Sequence, residues 1–121
     1  RLRMARMAEQ LEPLFDGTVL EKLERGLEIL TDPNRWIRKA YHDGAGGHCI
    51  YGACGSDDRH PFDNGVDSAL RHAISCVVDA NRFMLYGRLS VSVFNDNPTT
   101  THGDILAVLR KAVADAEAIY T

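Results

Sequence analysis

From His102 to Ile119 the chain sets Ile105, Leu109, Ala112, Val113, Ala116 and Ile119 on one side of a 3.6-residue repeat. Arg110, Lys111, Asp115 and Glu117 fall on the other side. A helix with one apolar stripe can only be satisfied by burying that stripe against another element. Thr101 stands before the run as an N-cap, with Asp104 at the capping-box position. The pattern predicts a helix over 102–119.

Other stretches repeat the pattern. Thr18 and Glu21 form a second capping box, ahead of Leu20, Leu23, Leu27 and Leu30, and predict a helix over 19–30. Gly26 inside it costs about 1 kcal/mol relative to Ala, and close approach of a neighbouring backbone is the expected compensation. Val66, Leu70, Ala73, Ile74, Val77 and Val78 predict a helix over roughly 66–80, started by Asn64 or Gly65. Met4, Met7, Leu11 and Leu14 fall at helical spacing near the start, and Pro13 ends or bends that helix near Leu11 or Glu12, so that residues 1–16 are expected to hold a loosely attached N-terminal helix. Residues 49–54 read as a short buried helix, with a strand as the second choice, and 36–41 as helical or extended. Leu89-Ser90-Val91-Ser92-Val93 alternates apolar and polar residues and reads as a strand. A single strand leaves its backbone groups unpaired. It must therefore pair with 36–41 or with another chain, or be irregular.

The expected fold is mainly α: a compact bundle of four to five helices with one short strand or extended segment near 89–94, in a single domain over 1–121. A hydrophobic share of 45% against 26% charged residues separates this chain from disordered sequences. The formal net charge of -3 gives no electrostatic footprint for nucleic acid, despite Arg1, Arg3 and Arg6. No apolar run approaches the roughly 18 residues of a membrane span. Three cysteines, an odd count, fit reduced thiols and a cytoplasmic setting.

Several residues fall in a recognisable order: Leu27, Leu30, Trp36, Gly47, Cys49, Gly52-Ala53, Asn95-Asp96, Thr101, Leu106, Leu109 and Ala112. Over about residues 18–117 the chain resembles a small uncharacterised family of bacterial and phage proteins, known only as a domain of unknown function. That family shows Trp-Asn-Asp where this chain has Phe94-Asn95-Asp96. The resemblance implies a compact helical domain and supplies no activity.

The polar residues that could carry chemistry are few. Asn95 and Asp96, with Thr101, are the main constellation. Such residues hold turns and cap helices through side-chain to backbone bonds, and this structural role is the favoured one. The functional alternative makes Asp96 a base or anchor, with Asn95 and His102 beside it. Cys49 is the candidate thiol nucleophile, although adjacent His48 does not face it. His48, Cys49, Cys54 and His60 suggest zinc. On a helix, however, Cys49 and Cys54 lie about 140° apart around the axis and cannot share a metal. The expectation is no metal and no cofactor. Asp57, Asp58, Asp63 and Asn64 lack the spacing of a calcium loop and read as solvated. Trp36, Tyr51, Phe94, Asn95 and Asp96 are the candidates for binding a ligand or partner, with Tyr41 alongside. Without a complete catalytic set, the leading reading is a non-enzymatic binding module, joined to a protein partner or to itself through the strand at 89–93. A small hydrolase or transferase using Asp96 with a histidine, or Cys49, is the alternative.

Overall fold

The computed structural model describes residues 17–60 and 63–120. The N-terminal helix expected before residue 16 lies outside the described residues. Helix α1 spans Val19–Leu30 and begins with the expected capping box. The Thr18 hydroxyl accepts from Glu21 N at 3.2 Å, and the Glu21 carboxylate accepts from Thr18 N at 2.8 Å. Thr31 ends it by donating its N–H to the Leu27 carbonyl. A 3₁₀ turn over Pro33–Arg35 follows, and residues 36–48 form an extended loop. Isolated bridges join His48 to both Trp36 and His42.

The short helix α2, Ile50–Ala53, is capped by Cys49, whose Sγ accepts from Gly52 N at 3.3 Å. Helix α3 spans Asn64–Val77 and starts on Asp63, one residue before the expected cap. Asp63 Oδ1 accepts from Val66 N at 3.0 Å, while Oδ2 meets Lys22 Nζ at 2.5 Å and ties α3 to α1. The last helix, α5, spans His102–Tyr120. Thr101 and Asp104 close its capping box through bonds of 3.0 and 3.1 Å.

The extended reading of 89–93 is corrected. Only Arg88–Leu89 is strand (β2), paired antiparallel with Met84–Leu85 (β1) across a two-residue turn. Tyr86 and Gly87 both hold positive φ, 52° and 78°, as such a hairpin turn requires. Residues Val91–Asp96 form helix α4 instead. Ser90 caps it by accepting from Val93 N at 3.1 Å, and Val91, Phe94 and Asn95 turn inward at helical spacing. A short Val/Ser run satisfies both periods, and here the cap and the burial of Phe94 decide for the helix. The strand that was to pair with another chain is therefore absent from 91–93.

The stripes meet in one cluster. Leu23, Leu30, Ile50, Leu70, Ile74, Phe94, Ile105 and Leu109 are fully buried. Phe83 and Phe94 pack edge to face, 5.1 Å between centroids. Two expected core positions are on the surface: Val77, at the last turn of α3, and Ile119, which is 73% exposed. Gly26 packs against Cys54, and a Cβ there would lie 2.5 Å from the Cys54 Sγ. The close approach is by a side chain, not the expected backbone.

Candidate functional site

Residue Asn95 organises the region between the 36–42 loop, α2 and α4. It is 2% exposed, and its Oδ1 accepts from both Trp36 Nε1 and Ile50 N at 2.9 Å. Its Nδ2 donates to the Ile37 carbonyl at 3.1 Å and to Asp96 Oδ1 at 3.0 Å. Asp96 Oδ1 also accepts from Lys39 N at 2.7 Å. That bond holds Lys39 in the left-handed region, φ 72°, which a non-glycine residue adopts only when its surroundings impose it. Asn95 and Asp96 thus bond backbone 45 to 58 residues away in sequence, rather than their own turn.

A second relay joins Arg35, His48, His42 and Ser56. A guanidinium only donates, so His48 Nε2 accepts from Arg35 at 3.3 Å. His48 Nδ1 then carries the proton and donates to His42 Nδ1 at 2.7 Å. His42 is left with its proton on Nε2, which donates to the Ser56 carbonyl at 2.8 Å. His48 carries a single proton in this arrangement and is neutral. Burial pulls the His48 pKa below its ordinary value, with the His42 ring, Arg35 and Arg25 adding to the effect and Asp43 opposing it. An unfolded histidine titrates near 6.5. Below that pH the unfolded chain therefore binds more protons than the folded one. The stability from neutral His48 is complete above about pH 6.5 and is lost as pH falls through its folded pKa. Urea midpoints compared between pH 7.5 and 5 should fall, and His48→Gln should flatten the fall. An unchanged slope in His48→Gln would exclude the relay as the source.

These elements enclose a cavity of about 430 Å³, within the range of small-ligand sites. Asp57, Asp58 and Asp96 line it, with Tyr41, Tyr51, Cys49, Ser92 and Lys39. The Tyr51 hydroxyl donates to Asp67, a nearly buried carboxylate on α3 whose other oxygen accepts from Arg71 Nε at 2.9 Å. Burial first, and then Asp67, push the Tyr51 phenol well above its usual range. Tyr41 is raised too, by burial and then by Cys49, Asp58 and Asp57. Burial raises the Cys49 thiol, and Cys54, fully buried, is pushed up to about 12. Neither thiol has the lowered pKa of an activated nucleophile.

Of the residues singled out in the sequence, Cys49, Tyr51, Asn95 and Asp96 come together at this cavity. Three others lie elsewhere. Phe94 is in the core. The Trp36 ring is covered by the Arg38 guanidinium at 4.4 Å, and that guanidinium donates to the Thr100 carbonyl at 2.7 Å. His102 Nε2 donates to the Leu30 carbonyl at 2.6 Å and fastens the start of α5 to the end of α1. His48, Cys49, Cys54 and His60 do not gather: the His48 ring bonds His42, and His60 bonds Asp57 on its own loop. Among the described residues, no three His, Cys, Asp or Glu side chains converge to hold a metal ion. None of the described helices is long and apolar enough to cross a membrane. Lys39, Ala40, His42, Asp57, Asp58 and Ser92 line the cavity without standing out as site residues in the sequence. A charged loop pair and an exposed Ser look identical whether they face a cavity or open solvent.

No curated protein and no solved structure matches this chain. A family model described as a family of unknown function does match, over residues 15–115, including α2, α4 and most of α5. The chain therefore belongs to that family of unknown function, DUF6197.

Proposed function

We propose that this chain is a non-enzymatic binding module of a reducing cytoplasm, and that the cavity between the 39–42 loop, α2 and α4 is where it receives a segment of a protein partner. The observation that carries this reading is how the polar groups there are used. Asn95 has all its hydrogen-bonding capacity in Trp36, Ile37, Ile50 and Asp96. His42 is held between His48 and Ser56, and Cys49 caps α2. Groups that could transfer a proton or attack a substrate are thus set to hold a shape, which leaves a rigid, partly apolar concavity. The hydrolase or transferase reading has less support, because the Asp96 carboxylate meets the Lys39 N–H and Asn95, not a histidine. Self-association by strand addition at 89–93 is not part of the proposal, since 91–96 is helical.

Amide NMR spectra during titration with a small-fragment library test the reading. Saturable shifts should cluster at residues 39–42, 49–58 and 92–96. Ser92→Trp, placed on the exposed side of α4, should abolish them and leave the rest of the spectrum in place. Saturable binding elsewhere with none at the cavity, or binding indifferent to Ser92→Trp, would remove the cavity from the function.

A further inference from the structure

We infer that the cavity selects a cationic nitrogen, an ammonium or guanidinium group carried on an apolar stem. This rests on the cavity being the binding site. Three acidic residues line it, Asp57, Asp58 and Asp96, against one lysine, Lys39. Of the other titratable lining groups, both tyrosines and Cys49 have raised pKa values and stay neutral near pH 7. An anion entering here would face a net negative wall in a partly desolvated space, where charge interactions are stronger than in water.

The aromatic lining points to the same ligand by a separate route. The Tyr51 hydroxyl is committed to Asp67, whose other oxygen is held by Arg71. What Tyr51 offers the cavity is therefore its ring, and the electron-rich face of a neutral phenol attracts ammonium and guanidinium groups. Tyr41 supplies a second ring with its hydroxyl unengaged by any described residue. The acceptors are free to respond. Asp57 uses Oδ1 for Arg59 N, His60 N and the His60 ring, and Asp96 uses Oδ1 for Lys39 N and Asn95, which leaves an Oδ2 on each. The Asp58 carboxylate is exposed, and its charge bears on the Tyr41 phenol. Two phenol rings and several carboxylate oxygens around one concavity fit a positive charge with an alkyl stem. A lysine or arginine side chain and a free alkyl diamine share that chemistry.

The experiment is an NMR titration at low ionic strength with cadaverine, agmatine and a blocked Ala-Lys-Ala peptide, and with glutarate and 1,5-pentanediol as the anionic and neutral counterparts. The cations should bind saturably at residues 39–42, 49–58 and 92–96, while glutarate does not. Asp58→Asn should weaken cation binding about threefold to tenfold, and Lys39→Met should strengthen it by about twofold to fivefold. Both side chains are exposed, and the Lys39 N–H that Asp96 holds is kept in Lys39→Met. Tighter binding of the peptide than of cadaverine assigns the cation to a protein side chain, and the reverse order assigns it to a small amine. Glutarate or pentanediol binding at the cavity as well as the cations do, or affinities unchanged in both variants, would overturn the charge selectivity and leave the binding reading in place. No probe shifting the cavity amides would remove both.

Discussion

Replacing Asn95 with Ala should lower the unfolding free energy by about 3–4 kcal/mol, a fall of roughly 15 °C or more in melting temperature for a domain of this size. The side chain is small, so lost packing is a minor part. The larger part is what stays behind. The Ile50 N–H, the Trp36 indole N–H and the Ile37 carbonyl lose their partner together. A buried polar group left unpaired costs about 1–3 kcal/mol. Asn95→Asp separates donor from acceptor effects. It keeps an oxygen for Trp36 and Ile50 but sets a second oxygen against the Ile37 carbonyl and Asp96 Oδ1, so it should also destabilise strongly. Thermal melts of the two variants at neutral pH check this. Asn95→Asp melting like the native chain would mean that the Nδ2 bonds contribute nothing.

How much of this was legible beforehand depends on the range of the interaction. Thr18, Glu21, Thr101 and Asp104 announce their helices because caps act within one turn. Leu23, Ile74 and Leu109 lie at zero exposure because their stripes have only one way to be buried. The stretch 89–93 was misread because Val91, Ser92 and Val93 fit either period. What decides it is Ser90 acting as a cap and Phe94 finding Phe83. Val77 and Ile119 fit the stripes but end on the surface, since a periodic pattern does not show where the neighbouring helix stops.

The site is harder to read, because its bonds join residues 45 to 62 positions apart. Asn95-Asp96 stood out as a polar pair after an apolar run. Nothing in the sequence paired it with Ile37, Lys39 and Ile50. The histidine relay needs His42 and His48 folded back on each other by the tight loop between them. In that loop Asp43 Oδ1 accepts from both Ala45 N and Gly47 N at 2.8 Å. Asp57 and Asp58 read as solvated loop acids, and Asp58 is exposed; what the sequence does not show is that both also line the concavity beside α2.

Replacement of Gly52 with Ala sets two rules against each other, and the outcome is expected to follow packing. Helix propensity alone favours Ala over Gly by up to about 1 kcal/mol, and in a helix of four residues the gain is smaller still. A Cβ on Gly52, however, would fall on the Tyr41 carbonyl oxygen and lie 2.8 Å from the carbonyl carbon. The neighbour is backbone, so no rotamer change relieves it. That backbone is also fixed, because the same carbonyl accepts from Cys49 N at 3.2 Å, and His42 next to it is held by His48 and Ser56. Overpacking of this kind costs about 1–3 kcal/mol, or more where the neighbour cannot move. Gly52→Ala should therefore destabilise by about 3 kcal/mol. It should also drive the 39–42 loop away from α2, opening the wall of the cavity and weakening any ligand there. Gly44→Ala is the control. Its Cβ would meet nothing within 4 Å, and it bears only the strain of φ 76°, about 1 kcal/mol. Denaturant midpoints for the two variants, with amide shifts at Tyr41 and His42, decide the matter. Equal midpoints would mean that Tyr41 can retreat without cost, and that Gly52 stands in the Cys-x-x-Gly-Ala motif for a reason other than this contact.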